Sequence, residues 1–156
     1  MNDSGDLGYK LKVRDSRQVE EEVGSLSSEL LDLMQIKGKV AEPGPATGYC
    51  GYDTVESKYR SVDHPWSVYG VGDDVLEKGM KNLFSRLPDQ GWKIIKYGPN
   101  SSKNKDLEIE AVHLKTHTGA LIIWMKGYDT HEPLISVDLV SRCFIDSRAS
   151  SSPTDY

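Results

Sequence analysis

The stretch Pro133 to Ile145 reads PLISVDLVSRCFI. Side chains alternate across an extended chain, so Ile135, Val137, Leu139, Ser141, Cys143 and Ile145 share one side. Ser136, Asp138, Val140, Arg142 and Phe144 share the other. This is the pattern of a half-buried β-strand with an apolar inner face. The preceding stretches repeat it. Ala120 to Lys126 (ALIIWMK) is apolar on both sides and predicts a central strand. Leu107 to Lys115 sets Leu107, Ile109 and Ala111 opposite Glu108 and Glu110. Gly91 to Tyr97 (GWKIIKY) and the run after Pro65 (WSVYGV) complete four to five strands. Short turns between the last strands predict an antiparallel meander.

Two helices precede or interrupt these strands. Val19, Val23, Leu26, Leu30 and Leu33 advance by four and three residues, one stripe on a helix, with Asp15 and Gln18 spaced as a capping box and Gly38 as the stop. Leu76, Met80, Leu83 and Leu87 form a second stripe, opened by Asp73 and Asp74 and ended by Pro88. The expected fold is α+β, a two-layer sandwich with both helices packed on one face of a mainly antiparallel sheet of four to five strands. Residues 15–146 form the domain. Residues 1–14 read as a flexible leader, although Leu11 and Val13 are compatible with a short edge strand, and 147–156 as a disordered tail. Val40 to Tyr52 (VAEPGPATGYCGY) reads as an irregular connection.

The 156 residues suffice for one domain with a substantial core. A formal net charge of −5 argues against nucleic acid as a partner, which needs a clustered basic footprint. No apolar run approaches the roughly 18 residues that span a bilayer. Met1 is followed by polar NDSGD, so either the chain is cytoplasmic or a targeting segment once preceded it. Two cysteines, Cys50 and Cys143, match no zinc or redox spacing. They are open to two readings, a single bridge or two buried thiols in a reducing cytosol.

Candidate chemistry is sparse. His131, beside Asp129 and Glu132, lies in the loop after Lys126 and is read as approaching His117 across the hairpin end, so His117, Asp129 and His131 form a candidate metal set. On loops such residues are ordinarily solvated, and no cofactor is expected. Asp138 and Arg142 suit an ion pair on the outer face. No nucleophile elbow, phosphate loop or metalloprotease motif occurs. Exposed aromatics carry the better hint of binding, with Trp66, Tyr69, Trp124 and Tyr128 as candidates for a protein or small-molecule partner at a sheet face, or at the loops Pro99 to Lys105 and Gly127 to Glu132.

The ending ISVDLVSRCFI, the upstream PGPATGYC, the HPW segment and LPDQGWKIIKYG together resemble small extracytoplasmic lipoproteins of actinobacteria, over roughly Asp15 to Ile145. The resemblance implies an oxidised Cys50–Cys143 pair, no catalytic residues, and a lost N-terminal lipid anchor as the only contact with a membrane. The expected function is a membrane-tethered, non-enzymatic binding or interaction domain. The alternatives are a cytoplasmic immunity-type protein that meets a basic partner by acidic complementarity, and a metal-dependent hydrolase using the three loop residues.

Overall fold

The computed structural model describes residues 9–50 and 59–148. Residues 1–8 and 149–156, within the expected leader and tail, lie outside the described residues. The fold is α+β, with two helices and a mixed sheet of nine strands among the described residues. In chain order these are β1 (Val13–Arg14), α1 (Ser16–Met34), β2 (Lys39–Ala41), β3 (Ala46–Tyr49), β4 (Tyr59–Tyr69), α2 (Asp73–Arg86), β5 (Trp92–Pro99), β6 (Leu107–His113), β7 (Gly119–Met125), β8 (Leu134–Val140) and β9 (Phe144–Asp146). The expected meander is present as β5-β6-β7-β8, all antiparallel neighbours.

The sheet exceeds the expected four to five strands because its extra strands are short and sit where proline, glycine or lysine breaks the alternation. Strands β2 and β3 flank Pro43–Gly44–Pro45 inside the segment read as irregular, and both pair with one edge of β4. Strand β1 falls in the stretch read as leader and pairs in parallel with β9. Residues 9–14 are therefore built into the domain, with Leu11 buried. Ser147 also donates its amide to the Arg14 carbonyl at 2.8 Å, so the domain runs slightly past residue 146.

The stretch Pro133 to Ile145 is not one regular strand. Strand β8 holds the expected parity, with Ile135, Val137 and Leu139 fully buried. Both β8 and β9 then pair with the same edge of β4, but Asp63 faces Val140 whereas Arg60 faces Phe144, a slip of one residue. One extra residue reverses every side chain beyond it. Phe144 thus joins the main core, while Cys143 and Ile145 pack with Leu11, Cys50, Tyr9 and Tyr59 in a separate small cluster. Ser141 makes the slip tolerable. Its amide donates to the Val62 carbonyl and its hydroxyl accepts the Val62 amide, each at 2.8 Å, so the backbone groups of β4 stay satisfied.

Helix α1 buries Val19, Val23, Leu26, Ser27, Leu30 and Met34. Asp15 caps it, accepting the Arg17 amide at 2.9 Å. The helix ends at Gln35 in a left-handed conformation, not at Gly38. Gly38 is required for another reason: a Cβ there would lie 2.8 Å from the Val68 side chain. Helix α2 buries Leu76, Met80 and Leu83, with Leu87 in the following turn. Asn82 ties the helices together by donating to the Met34 carbonyl at 2.7 Å. Both helical stripes share one core with Trp66, Ile122, Val137 and Leu139 of the sheet.

Candidate binding site

The slip between β8 and β9 opens a cleft. Along one edge β8 and β9 both pair with β4, with Ser141 between them bonded to Val62. Along the other the β8–β9 run pairs with β7 only as far as Val140, and then with β1 from Ile145. Residues 141–144 have no strand neighbour on that side, and the gap is a cavity of about 310 Å³. Lys10, Lys12 and Arg14 form one wall, Lys115, Thr116 and His117 the other, and Ser141 to Phe144 the floor. Val19 and Glu22 of α1 complete the lining.

Local sequence explains the charge. Tyr9 to Arg14 reads YKLKVR. Leu11 is drawn into the small cluster around the cysteines, which leaves Lys10, Lys12 and Arg14 on the cleft side. Arg14 is neutralised by Glu22 at 3.1 Å. Lys10, Lys12, Lys115 and Arg142 have no carboxylate partner among the described residues. Arg142 stacks its guanidinium 3.7 Å from the centre of the Tyr9 ring, and its Nε is buried without a hydrogen bond. Tyr9 is fixed in turn, since its hydroxyl accepts the Cys143 amide at 2.8 Å. Cys50 and Cys143 are joined in a disulfide with Cα atoms 5.8 Å apart, so the covalent tie lies in the cleft floor.

The residues singled out from sequence are dispersed. Trp66 and Trp124 point into the core, where their indole N–H groups donate to Ser27 Oγ (3.0 Å) and Asp73 Oδ1 (2.9 Å). Tyr69 is half-buried at the end of β4, an odd number of residues from Trp66 and so on the opposite face. Tyr128 is exposed and stacks at 4.7 Å on His131. These four side chains do not make one aromatic surface. The metal set is also undone. His117 precedes β7 and Asp129 and His131 follow it, and seven strand residues at about 3.3 Å each hold the two ends roughly 20 Å apart. Among the described residues, no three His, Cys, Asp or Glu side chains gather to hold a metal ion. His117 instead lines the basic cleft, and Asp129 serves the turn with a positive φ of 46°.

One further polar network was not visible in the sequence. Ser27 Oγ lies 2.7 Å from His64 Nδ1, and His64 Nε2 lies 3.6 Å from Glu42. The order serine, histidine, glutamate has the connectivity of a hydrolytic triad. Yet Ser27 sits in mid-helix at 3% exposure, with its hydroxyl shared between an indole and an imidazole. The backbone amides around it belong to the helix ladder, so they offer no oxyanion site. Ser27 and His64 form a buried structural pair, with the exposed Glu42 at its rim. Burial pulls the His64 imidazole below its ordinary range, only partly opposed by Glu42 and Asp63.

On the outer face, Asp138 does not pair with Arg142, which is turned to Tyr9. Burial first, and then the neighbouring Asp63, push its carboxyl up to about 7. Between about pH 4, where the unfolded chain ionises, and pH 7, the folded state holds the extra proton. Stability contributed by Asp138 is therefore complete below pH 4 and is lost as pH rises through 7. With solvent over this face, the loss is about 1 to 2 kcal/mol. Asp138→Asn is expected to remove that loss, leaving the variant roughly 3 to 6 °C above the parent at pH 8 relative to pH 5. Thermal unfolding at both pH values checks it, and the comparison cancels the opposing His64 contribution. Equal pH slopes in the two proteins would count against the shared proton.

Compared with protein-family models, curated proteins and solved structures, the chain has no match, so the reading of the cleft rests on its own geometry.

Proposed function

We propose that this chain is a non-enzymatic binding domain that works outside the cytoplasm, held at the outer face of a membrane by a lipid anchor, as its resemblance to small actinobacterial lipoproteins implies. The observation that carries the reading is the Cys50–Cys143 disulfide. Such bonds persist in oxidising compartments and are rare in a reducing cytosol. In this reading the architecture is a two-layer sandwich, with both helices against one sheet face and the cleft at the sheet's end. Binding is assigned to the cleft, because the cross-link and the stacked Tyr9–Arg142 pair hold its floor in one arrangement before any ligand arrives. Preorganisation of this kind lowers the entropy cost of association.

A thiol count tests the compartment. Protein isolated from its native cells, with thiols blocked at lysis, is expected to show no modified cysteine until a reductant is added. Modification of both cysteines before reduction would remove the exterior assignment.

A further inference from the structure

We propose that the cleft between β1 and β7 binds a phosphoryl group, carried by a small phosphate ester or a diphosphate. The proposal rests on the binding reading of this cleft and names its ligand class. Four unneutralised cations reach the cavity from three separate elements: Lys10 and Lys12 from the β1 arm, Lys115 from the turn before β7, and Arg142 from the slipped segment. The chain as a whole carries a net charge of −5, so this cluster is not a sample of a generally basic surface. Cations brought together without counter-charges repel one another, and a bound anion relieves that repulsion.

The arrangement favours a tetrahedral oxyanion over a planar carboxylate. A carboxylate offers two coplanar oxygens, which one guanidinium satisfies. A terminal phosphoryl group offers three oxygens diverging in space and up to two negative charges, matching donors that converge from three directions. Arg142 supplies a planar donor whose position is set by Tyr9, with its Nε still unpartnered. The lysines act as point charges on flexible stems. A volume of about 310 Å³ is at the lower end of small-molecule pockets and exceeds what a lone phosphate fills. Glu22 does not oppose the ligand, because both its oxygens are engaged by Arg14.

The test is calorimetric titration of the oxidised, full chain with pyrophosphate at low and at physiological salt, with citrate as a carboxylate of comparable charge. A parallel arm sediments the protein with phosphatidylglycerol vesicles and with neutral phosphatidylcholine vesicles. Pyrophosphate binding that weakens with salt, exceeds that of citrate, and falls at least about tenfold in Lys10→Ala/Lys12→Ala supports the proposal. Both lysines are exposed, so that variant retains the fold, and Arg142→Gln is expected to weaken binding similarly. Sedimentation with the anionic vesicles alone, lost in the same variants, supports the same phosphoryl chemistry with a lipid headgroup as its source. Citrate binding as tightly as pyrophosphate overturns the phosphoryl assignment while leaving a binding cleft in place. No binding in either arm, by protein whose thiols are fully oxidised, overturns the anion site without touching the compartment.

Discussion

Replacing Cys50 and Cys143 together by serine is expected to lower stability by roughly 4 to 5 kcal/mol, or about 10 to 20 °C in melting temperature for a chain of this size. The two residues are 93 positions apart, and closing so long a loop removes much of the freedom of the unfolded chain. Loss of packing adds little, because the cluster around the bridge is small: Leu11 and the two cysteines, with Tyr9, Tyr59 and Ile145 against it. The local consequence is larger than the packing suggests. Cys143 offers its amide to Tyr9, Tyr9 supports Arg142, and Leu11 anchors the arm that carries Lys10 and Lys12. Denaturant unfolding at matched m-values reads the stability change. An unfolding free energy within about 1 kcal/mol of the oxidised parent's would show that the tie does not constrain the unfolded state as the loop length requires.

The long elements were legible because their periodicity is sustained. The stripes through Val19 to Leu30 and Leu76 to Leu87, and the alternations in β6 and β8, matched the buried faces, whereas β7, apolar on both sides, buries Ala120, Ile122 and Trp124 and leaves Leu121 and Met125 exposed. What failed was local. The parity of Pro133 to Ile145 holds to Leu139 and reverses beyond Ser141, because a single inserted residue leaves no mark on hydrophobicity. A serine and an arginine between apolar residues hinted at a break, yet only pairing with Val62 reveals it. Strands β1, β2, β3 and β9 are two to four residues long, too short for alternation to stand out. Strands β2, β3 and β9 depend on the long β4 offering both edges, and β1 depends on β9, which are tertiary facts.

The site was less legible, for a related reason. Trp66 and Tyr69 are an odd number of residues apart on one strand, so parity alone separates their faces. The length of β7 likewise keeps His117 from His131. Both exclusions could have been drawn from the sequence. The basic cleft could not. Lys10, Lys12 and Arg14 alternate visibly in YKLKVR, but Lys115 and Arg142 join them only because β7 leaves the β8–β9 edge where β1 arrives.

Ser27→Ala is expected to cost about 2 to 4 kcal/mol, an unusual penalty for removing one hydroxyl from a helix. By propensity alone the substitution is favourable, by up to roughly 0.5 kcal/mol, because alanine is the better helix former. The hydroxyl, however, satisfies two buried partners at once. It accepts the Trp66 indole N–H at 3.0 Å and shares a hydrogen bond with His64 Nδ1 at 2.7 Å, in a region where His64 is 3% exposed. Alanine strands both, at about 1 to 3 kcal/mol for each unsatisfied group, so desolvation outweighs propensity. His64 cannot escape by ionising at neutral pH, since burial already holds its imidazole neutral. Ser28→Ala is the matched control, because Ser28 is the exposed neighbour and keeps the propensity gain without the loss. Urea unfolding of the two variants is expected to separate them by at least about 2 kcal/mol. Coincident transitions would mean that water reaches the indole and imidazole, and that the serine is dispensable to the junction between α1 and β4.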